Sequence, residues 1–338
     1  MARALVVLNN APAEPELLEI GKTNQLSARQ QANLEAAGYR IIGKHSAVKV
    51  CKYCKDSLRG EGKCYKHTFY GIESGQCIQM SPTVQFCTEN CGFCWRTLRY
   101  HMQTADDWDP PELIVEGMLS AHARLLTGFG GNAKTTRERY EKALAPKHVA
   151  ISLSGEPTLY PYLPELIQLM HQRGLTTFLV SNGTNPEMLR TLLRSPPTQL
   201  YVTLAGASKE MHRATTNPIQ ADAWERLQQS LALLRGFPRS VVRLTLVKGV
   251  NLREPERYAE LIEAAQPTFL EAKGFVAVGG SQHRLPFAAM PSHADIIAFA
   301  QEIAAASSYR LALQQPQSRC VLLAKPGTER PCYGIGDF

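Results

Sequence analysis

The stretch Cys87-Thr88-Glu89-Asn90-Cys91-Gly92-Phe93-Cys94 decides how this 338-residue chain is read. Three thiolates in a CxxxCxxC spacing can cap three corners of a cubane 4Fe–4S cluster, leaving one iron without a protein ligand. An open iron takes a cofactor or a substrate. The plain alternatives are a structural zinc site, which uses four protein ligands, and buried cysteines that pack as small hydrophobes. Neither accounts for a run whose third cysteine leads into Trp95-Arg96 and then a helix-like pattern.

Such spacing resembles the signature of radical SAM enzymes, whose open iron binds the amino and carboxylate groups of S-adenosylmethionine (SAM). The surrounding periodicity is β/α. An apolar strand ends near Phe86, the cysteine loop follows, and a helix starts at about Pro111. Further strands are expected at 148–153, 176–180, 199–204, 241–247 and 269–278. Helical patterns at 161–173, 186–194, 221–235, 254–265 and 292–304 separate or follow them. Residues 134–145 read as an exposed insertion helix. Six strands, each followed by a helix, imply parallel pairing with right-handed crossovers. The fold class is therefore α/β: a partial (βα)6 TIM-like barrel of the radical SAM type, shorter than the closed eight-stranded form, with an N-terminal cysteine-rich extension. The expected division is 1–80 for the extension, 81–315 for the barrel and 316–338 for a tail.

In parallel α/β barrels, active-site groups stand on the loops after the strands' C-terminal ends. That rule selects the cysteine loop, then Ser154-Gly155-Glu156-Pro157 and Ser181-Asn182-Gly183-Thr184. Both tetrapeptides join small residues to a carboxylate, amide or hydroxyl that can hold an amino group or a ribose. As isolated tetrapeptides they would be plain turns. Ser154, Gly155, Glu156, Ser181, Asn182 and Thr203, at the end of the fourth strand, are the candidate SAM contacts.

Composition sets the bounds. Hydrophobic residues make up 44% and charged residues 20%, ordinary for a globular chain. No apolar run approaches the roughly 20 residues of a membrane span, so no membrane is expected. Seven of nine cysteines crowd between Cys51 and Cys94. Reduced thiols used as metal ligands in a cytoplasmic protein fit this better than a disulfide framework. Between Arg40 and Lys66 eight Lys and Arg face only Asp56 and Glu61. This is the footprint of a polyanion partner, or else a solvated basic face. Tyr39, His45, Tyr53, Tyr65 and His67 lie among those cations as stacking surfaces for unpaired bases.

Longer segments carry a narrower resemblance. GKHSAVKVC, RGEGKCYKHTFYGIESGQCIQMSP, FCTENCGFCWR, HVAISLSGEPTLYP, FLVSNGTNP and RLTLVKGVN are similar to the 4-demethylwyosine synthase family in its single-domain form, over about residues 39–300. The resemblance implies an enzyme that converts N1-methylguanosine beside the anticodon of tRNA-Phe into a tricyclic base, with two carbons from pyruvate. It implies two 4Fe–4S clusters, SAM, a target base splayed into the barrel mouth, and an external electron donor of flavodoxin or ferredoxin type. The chain is expected to be a monomer. Cys87, Cys91 and Cys94 would hold the SAM cluster, and Cys51, Cys64 and Cys77 the second. Cys54, Cys320 and Cys332 fall outside both sets.

On the residues alone, Cys51, Cys54, Cys64 and Cys77 also admit a zinc knuckle. Lys66 matches the family's position for a Schiff base with pyruvate, and is expected near the barrel mouth, crowded by Lys63. The alternative is that it pairs with an RNA phosphate. Two loops depart from the family. Leu204-Ala205-Gly206-Ala207-Ser208 replaces an Asp-Ala-Pro-like run, and Val278-Gly279-Gly280-Ser281-Gln282 lacks an expected aromatic. A noncatalytic RNA-binding protein, or an activase that puts a radical on a partner protein, are the competing classes.

Overall fold

The computed structural model describes residues 23–96 and 105–328. The N-terminal segment forms α1 (Ala28–Ala36), β1 (Arg40–Ile42), β2 (Ser46–Lys49), α2 (Lys52–Arg59) and α3 (Tyr65–Tyr70). Ser27 and Gln30 form a capping box at the start of α1. The core then alternates: β3 (Cys77–Ser81), α4 (Pro111–Leu126), α5 (Arg137–Leu144), β4 (His148–Ile151), α6 (Leu163–Gln172), β5 (Thr176–Ser181) and α7 (Pro186–Leu192). It continues with β6 (Gln199–Thr203), α8 (Lys209–Thr216), α9 (Ala223–Leu233), β7 (Ser240–Leu246), α10 (Pro255–Ala265), β8 (Phe269–Gly274) and α11 (His293–Ala305). A final hairpin pairs β9 (Arg310–Gln315) with β10 (Cys320–Ala324).

All ten strands share one open sheet, ordered β1-β2-β3-β4-β5-β6-β7-β8-β10-β9. The six strands β3 to β8 pair in parallel, as expected. The edges differ from expectation. β1 and β2 add antiparallel strands before β3, and β10 and β9 add two more after β8. The sheet therefore runs across the 80/81 and 315/316 boundaries, because Cys77–Ser81 and Cys320–Ala324 are strands of it.

One strand was misplaced by its sequence. The first parallel strand ends at Ser81, not near Phe86. Pro82 has no N–H to give a ladder, and the Val84 amide instead donates to the His45 carbonyl at 2.9 Å. Residues 82–86 cross the strand ends as a loop, with Val84 packed beside Leu153, Ala47 and Tyr39.

Alternation along the strands makes two faces. Leu179, Leu200, Val202, Val242, Leu244, Leu270 and Ala272 pack outward against the helices. Phe178, Tyr201, Val241, Phe269, Cys320 and Leu322 point inward, where α3 inserts Tyr65, Phe69 and Tyr70. α3 thus plugs the N-terminal half of the inner face. The basic extension is not an appendage; it closes one end of the barrel.

Candidate active site

The cysteine loop leaves the C-terminal end of β3 and is held by the two loops expected beside it. Glu156 N donates to Phe86 O at 2.7 Å, and Ser154 Oγ donates to Val84 O at 3.0 Å. Asn182 Nδ2 donates to Thr88 Oγ1 at 2.7 Å and approaches the Cys87 sulfur at 3.9 Å. Glu156, 1% exposed, ties the two loops together. Its carboxylate accepts from Asn182 N at 2.7 Å, Ser181 Oγ at 2.8 Å and Thr158 Oγ1 at 2.6 Å. Burial raises its pKa, and these donors pull the other way. The structure brings Ser154, Gly155, Glu156, Ser181 and Asn182 together. Thr203 stands half-buried at the end of β6 and makes no side-chain hydrogen bond among the described residues.

Gly155 has φ +76°, and a Cβ there would overlap the Thr83 carbonyl oxygen and stand 2.6 Å from that of Phe86. Both obstacles are backbone, so nothing rotates away. Gly155→Ala therefore costs about 2 kcal/mol or more in strain and displaces the 83–86 loop that leads into Cys87. The expected result is a folded chain that loses most of its SAM cleavage, read as 5′-deoxyadenosine release beside a thermal melt.

Sequence reasoning missed the clamp on the other side of the loop. Gly280 N donates to Trp95 O at 2.7 Å, and a Cβ on Gly279, at φ +56°, would overlap that same oxygen. Arg284 donates to the carbonyls of Gly92 at 3.2 Å, Arg96 at 3.1 Å and Cys94. The loop after β8, noted for its missing aromatic, thus grips the cysteine loop through backbone atoms, which no local pattern reveals. The loop after β6 is equally ordered: Asn251 Nδ2 donates to Ala205 O at 2.8 Å, and Ser208 caps α8. Gly92 N and Asn90 N donate to the carbonyls of Thr215 and Thr216 at 3.0 and 2.9 Å.

The upstream cysteines gather at the opposite end of the parallel strands. Cys51 is the N-cap of α2, Cys64 the N-cap of α3, and Cys77 the first residue of β3. Two helix N-termini therefore face this site, a setting that favours thiolates. Burial first, and the neighbouring Cys51 second, push the Cys64 thiol up to about 11 and Cys77 up to about 12. A metal centre must displace those protons as it binds. Cys54, by contrast, is core: it packs with Val50, Leu58, Leu126 and Ala143. Cys320 is buried among Tyr65, Phe69 and Leu322, and Cys332 lies outside the described residues.

All eight described cysteines are free thiols. Among the described residues no three His, Cys, Asp or Glu side chains converge on a point that one metal ion could occupy. The donor chemistry of each triad, three separate thiols, suits a cluster with an open iron.

Lys66 lies neither at the barrel mouth nor beside an RNA-accessible surface. It is 7% exposed, its ammonium 4.6 Å from the Tyr201 ring centroid and 5.1 Å from that of Phe178. Burial lowers its pKa, and the second cause is the Arg243 cation rather than Lys63. Lys63 is exposed and pairs with His67 at 2.9 Å.

The basic window is likewise redistributed. Tyr39, His45 and Tyr65 are buried and offer no stacking face to RNA. Tyr39 stacks on Trp95 at 6.0 Å, with the Lys49 ammonium about 5 Å over both rings. Lys52 and Arg59 pair with Asp56, and Lys44 with Asp107 at 3.3 Å.

Comparison with known proteins follows this geometry. Residues 81–262 match the Radical SAM superfamily and residues 264–325 match Wyosine base formation. A Pyrococcus abyssi protein named S-adenosyl-L-methionine-dependent tRNA 4-demethylwyosine synthase is 45% identical over 303 residues, covering 88% of this chain and 89% of that one. The chain belongs to the radical SAM tRNA 4-demethylwyosine synthase family.

A Homo sapiens member of this family is 38% identical over 296 residues, which span 86% of this chain and 40% of the human protein. A solved structure described as TYW1 with a lysine-pyruvate adduct bound superposes with a TM-score of 0.82 at 36% identity, covering 89% of this chain and 97% of that one. The crystal structure of archaeal TYW1 gives 0.74 at 33% identity over the same shares. The chain is thus a radical SAM enzyme, a family that uses SAM and a 4Fe–4S cluster. No helix among the described residues is long and apolar enough to cross a membrane.

Proposed function

We propose that this enzyme converts N1-methylguanosine beside the anticodon of tRNA-Phe into 4-demethylwyosine, taking two carbons from pyruvate. The relatives' names supply the tRNA and the product. The observation that carries the pyruvate assignment is Lys66, a lysine buried on the inner face beside the upstream cysteines Cys64 and Cys77.

Cys87, Cys91 and Cys94 hold the SAM cluster, and Cys51, Cys64 and Cys77 hold a second. Bound there, the clusters supply reductive cleavage of SAM to a carbon-centred radical and a further metal contact for the two-carbon donor. The chain's own residues do the rest. Ser154, Glu156, Ser181, Asn182 and Thr203 stand at the strand ends and would hold the amino group and ribose of SAM there. Lys66 loses part of its proton to burial and to Arg243, so a neutral amine is available as a nucleophile. Its nitrogen adds to the pyruvate keto carbon and water leaves. Phe178, Tyr201 and α3 keep bulk water off that bond. The guanine is splayed out of the anticodon loop to enter the barrel from the strands' C-terminal end. An external flavodoxin- or ferredoxin-type donor supplies electrons to a cytoplasmic monomer.

Anaerobic incubation with a reductant, SAM, 13C-pyruvate and tRNA carrying N1-methylguanosine tests this by mass spectrometry of the nucleosides. A product retaining two labelled carbons is expected. SAM cleavage without any labelled nucleoside sinks the assignment.

A further inference from the structure

The inner face of the sheet holds more positive charge than it neutralises. Lys66, Arg243 and Lys273 meet there, and Glu271, 0% exposed, is the carboxylate that acts on all three. Arg243 donates through Nε to Glu271 at 2.9 Å and through Nη2 to the Tyr65 hydroxyl at 2.7 Å. Tyr70 occupies the other Glu271 oxygen at 2.7 Å. The carboxylate is thus spent on Arg243 and Tyr70.

Lys66 makes no hydrogen bond or ion pair among the described residues and rests on ring faces. Lys273 has one acceptor, the Ser318 carbonyl at 2.9 Å, and lies 5.1 Å from the Tyr65 ring centroid. The arginine's Nη1 donates to nothing among the described residues, although the side chain is only 13% exposed. Buried cations in excess are costly unless an anion joins them.

We infer that Arg243 and Lys273 receive the carboxylate of the small 2-oxo acid whose keto carbon Lys66 attacks, and so select an anionic donor; this rests on the Lys66 reading above. Arg243 and Lys66 both lie over the Tyr201 ring, at 4.4 and 4.6 Å from its centroid. Arg243 and Lys273 both flank Tyr65. Each ring therefore lies against two of the three cations, with Arg243 common to both. An acid whose carboxylate is one bond from its keto carbon can reach the arginine and the attacking amine together. The carboxylate takes a charge-assisted hydrogen bond from Nη1 and a second from the ammonium. The condensation itself forms one C=N bond and releases one water. Phe178 and Tyr201 limit the length of the acid's other arm.

The test is the concentration dependence of borohydride trapping on Lys66 in the anaerobic, cluster-loaded enzyme. It compares pyruvate with pyruvamide, which keeps the ketone but replaces the carboxylate by a neutral amide. The unaltered enzyme is expected to half-saturate with pyruvate at a concentration at least tenfold lower. Lys273→Met should raise the pyruvate value about tenfold and leave the pyruvamide value in place. Arg243→Lys, which keeps a cation beside Glu271 where a neutral residue would strand that carboxylate, should do the same more weakly. An unchanged ratio of the two ketones in both variants overturns the inference and leaves the cations as counter-charges to the metal centre. An equal rise for both ketones also overturns it, as a general disturbance of Lys66. Absence of any pyruvate label on Lys66 in the unaltered enzyme is a different failure, that of the Schiff-base reading itself.

Discussion

Lys66→Arg is expected to abolish two-carbon addition to the tRNA while SAM is still cleaved. Arginine keeps the positive charge and nearly the length of lysine, so the ring contacts with Phe178 and Tyr201 persist. Its guanidinium does not lose a proton at any working pH and is no nucleophile. Lysine differs on that one point, because burial and the neighbouring Arg243 already disfavour its ammonium. Loss of a covalent nucleophile lowers turnover by roughly a thousandfold or more. Nucleoside mass spectrometry and 5′-deoxyadenosine release, measured on one sample, check it. Product at the normal rate would remove the Schiff base from the mechanism and leave direct binding of pyruvate at the upstream cysteine site. A phosphate-binding role for Lys66 predicts the reverse pattern, since arginine serves a phosphate at least as well.

The chemistry-bearing loops were legible because they combine local signals: a CxxxCxxC run, and Ser-Gly-Glu and Ser-Asn-Gly turns directly after apolar strands. The six parallel strands were legible from the alternation of apolar runs with helical periodicity. The edge strands were not. Arg40–Ile42 and Ser46–Lys49 are three and four residues long, too short for a pattern, and only pairing with β3 makes them strands.

The stacking role given to Tyr39, His45 and Tyr65 failed for a related reason. Composition reports which rings are present but not which face they turn, and all three turn into the core. Arg284 and Gly280 act on backbone carbonyls about 190 residues away, a contact without a sequence signature. The inner-face cations had one. In β7 and β8 the polar residues Arg243, Thr245, Glu271 and Lys273 recur at every second position within otherwise apolar strands, and period two puts such residues on one face.

The central claim is that one barrel carries two independent cysteine sites, one at each end of its parallel strands, with Lys66 beside the upstream one. The upstream set is anchored in α2, α3 and β3, and the downstream set in a loop clamped by residues 154–156, 182 and 279–284. Replacing Cys87, Cys91 and Cys94 together by alanine should therefore silence one site without emptying the other. SAM cleavage should fall below detection, because among the described residues no other three-thiol set stands at the strands' C-terminal ends. The upstream ligands should keep their metal, and Lys66 should remain able to trap pyruvate. The most direct measurement is metal analysis of this triple variant after anaerobic loading, beside the unaltered enzyme. About half of the iron retained, with no zinc and no 5′-deoxyadenosine formed, is the predicted result. Loss of all iron with the downstream triad, or zinc at Cys51, Cys64 and Cys77, would contradict it.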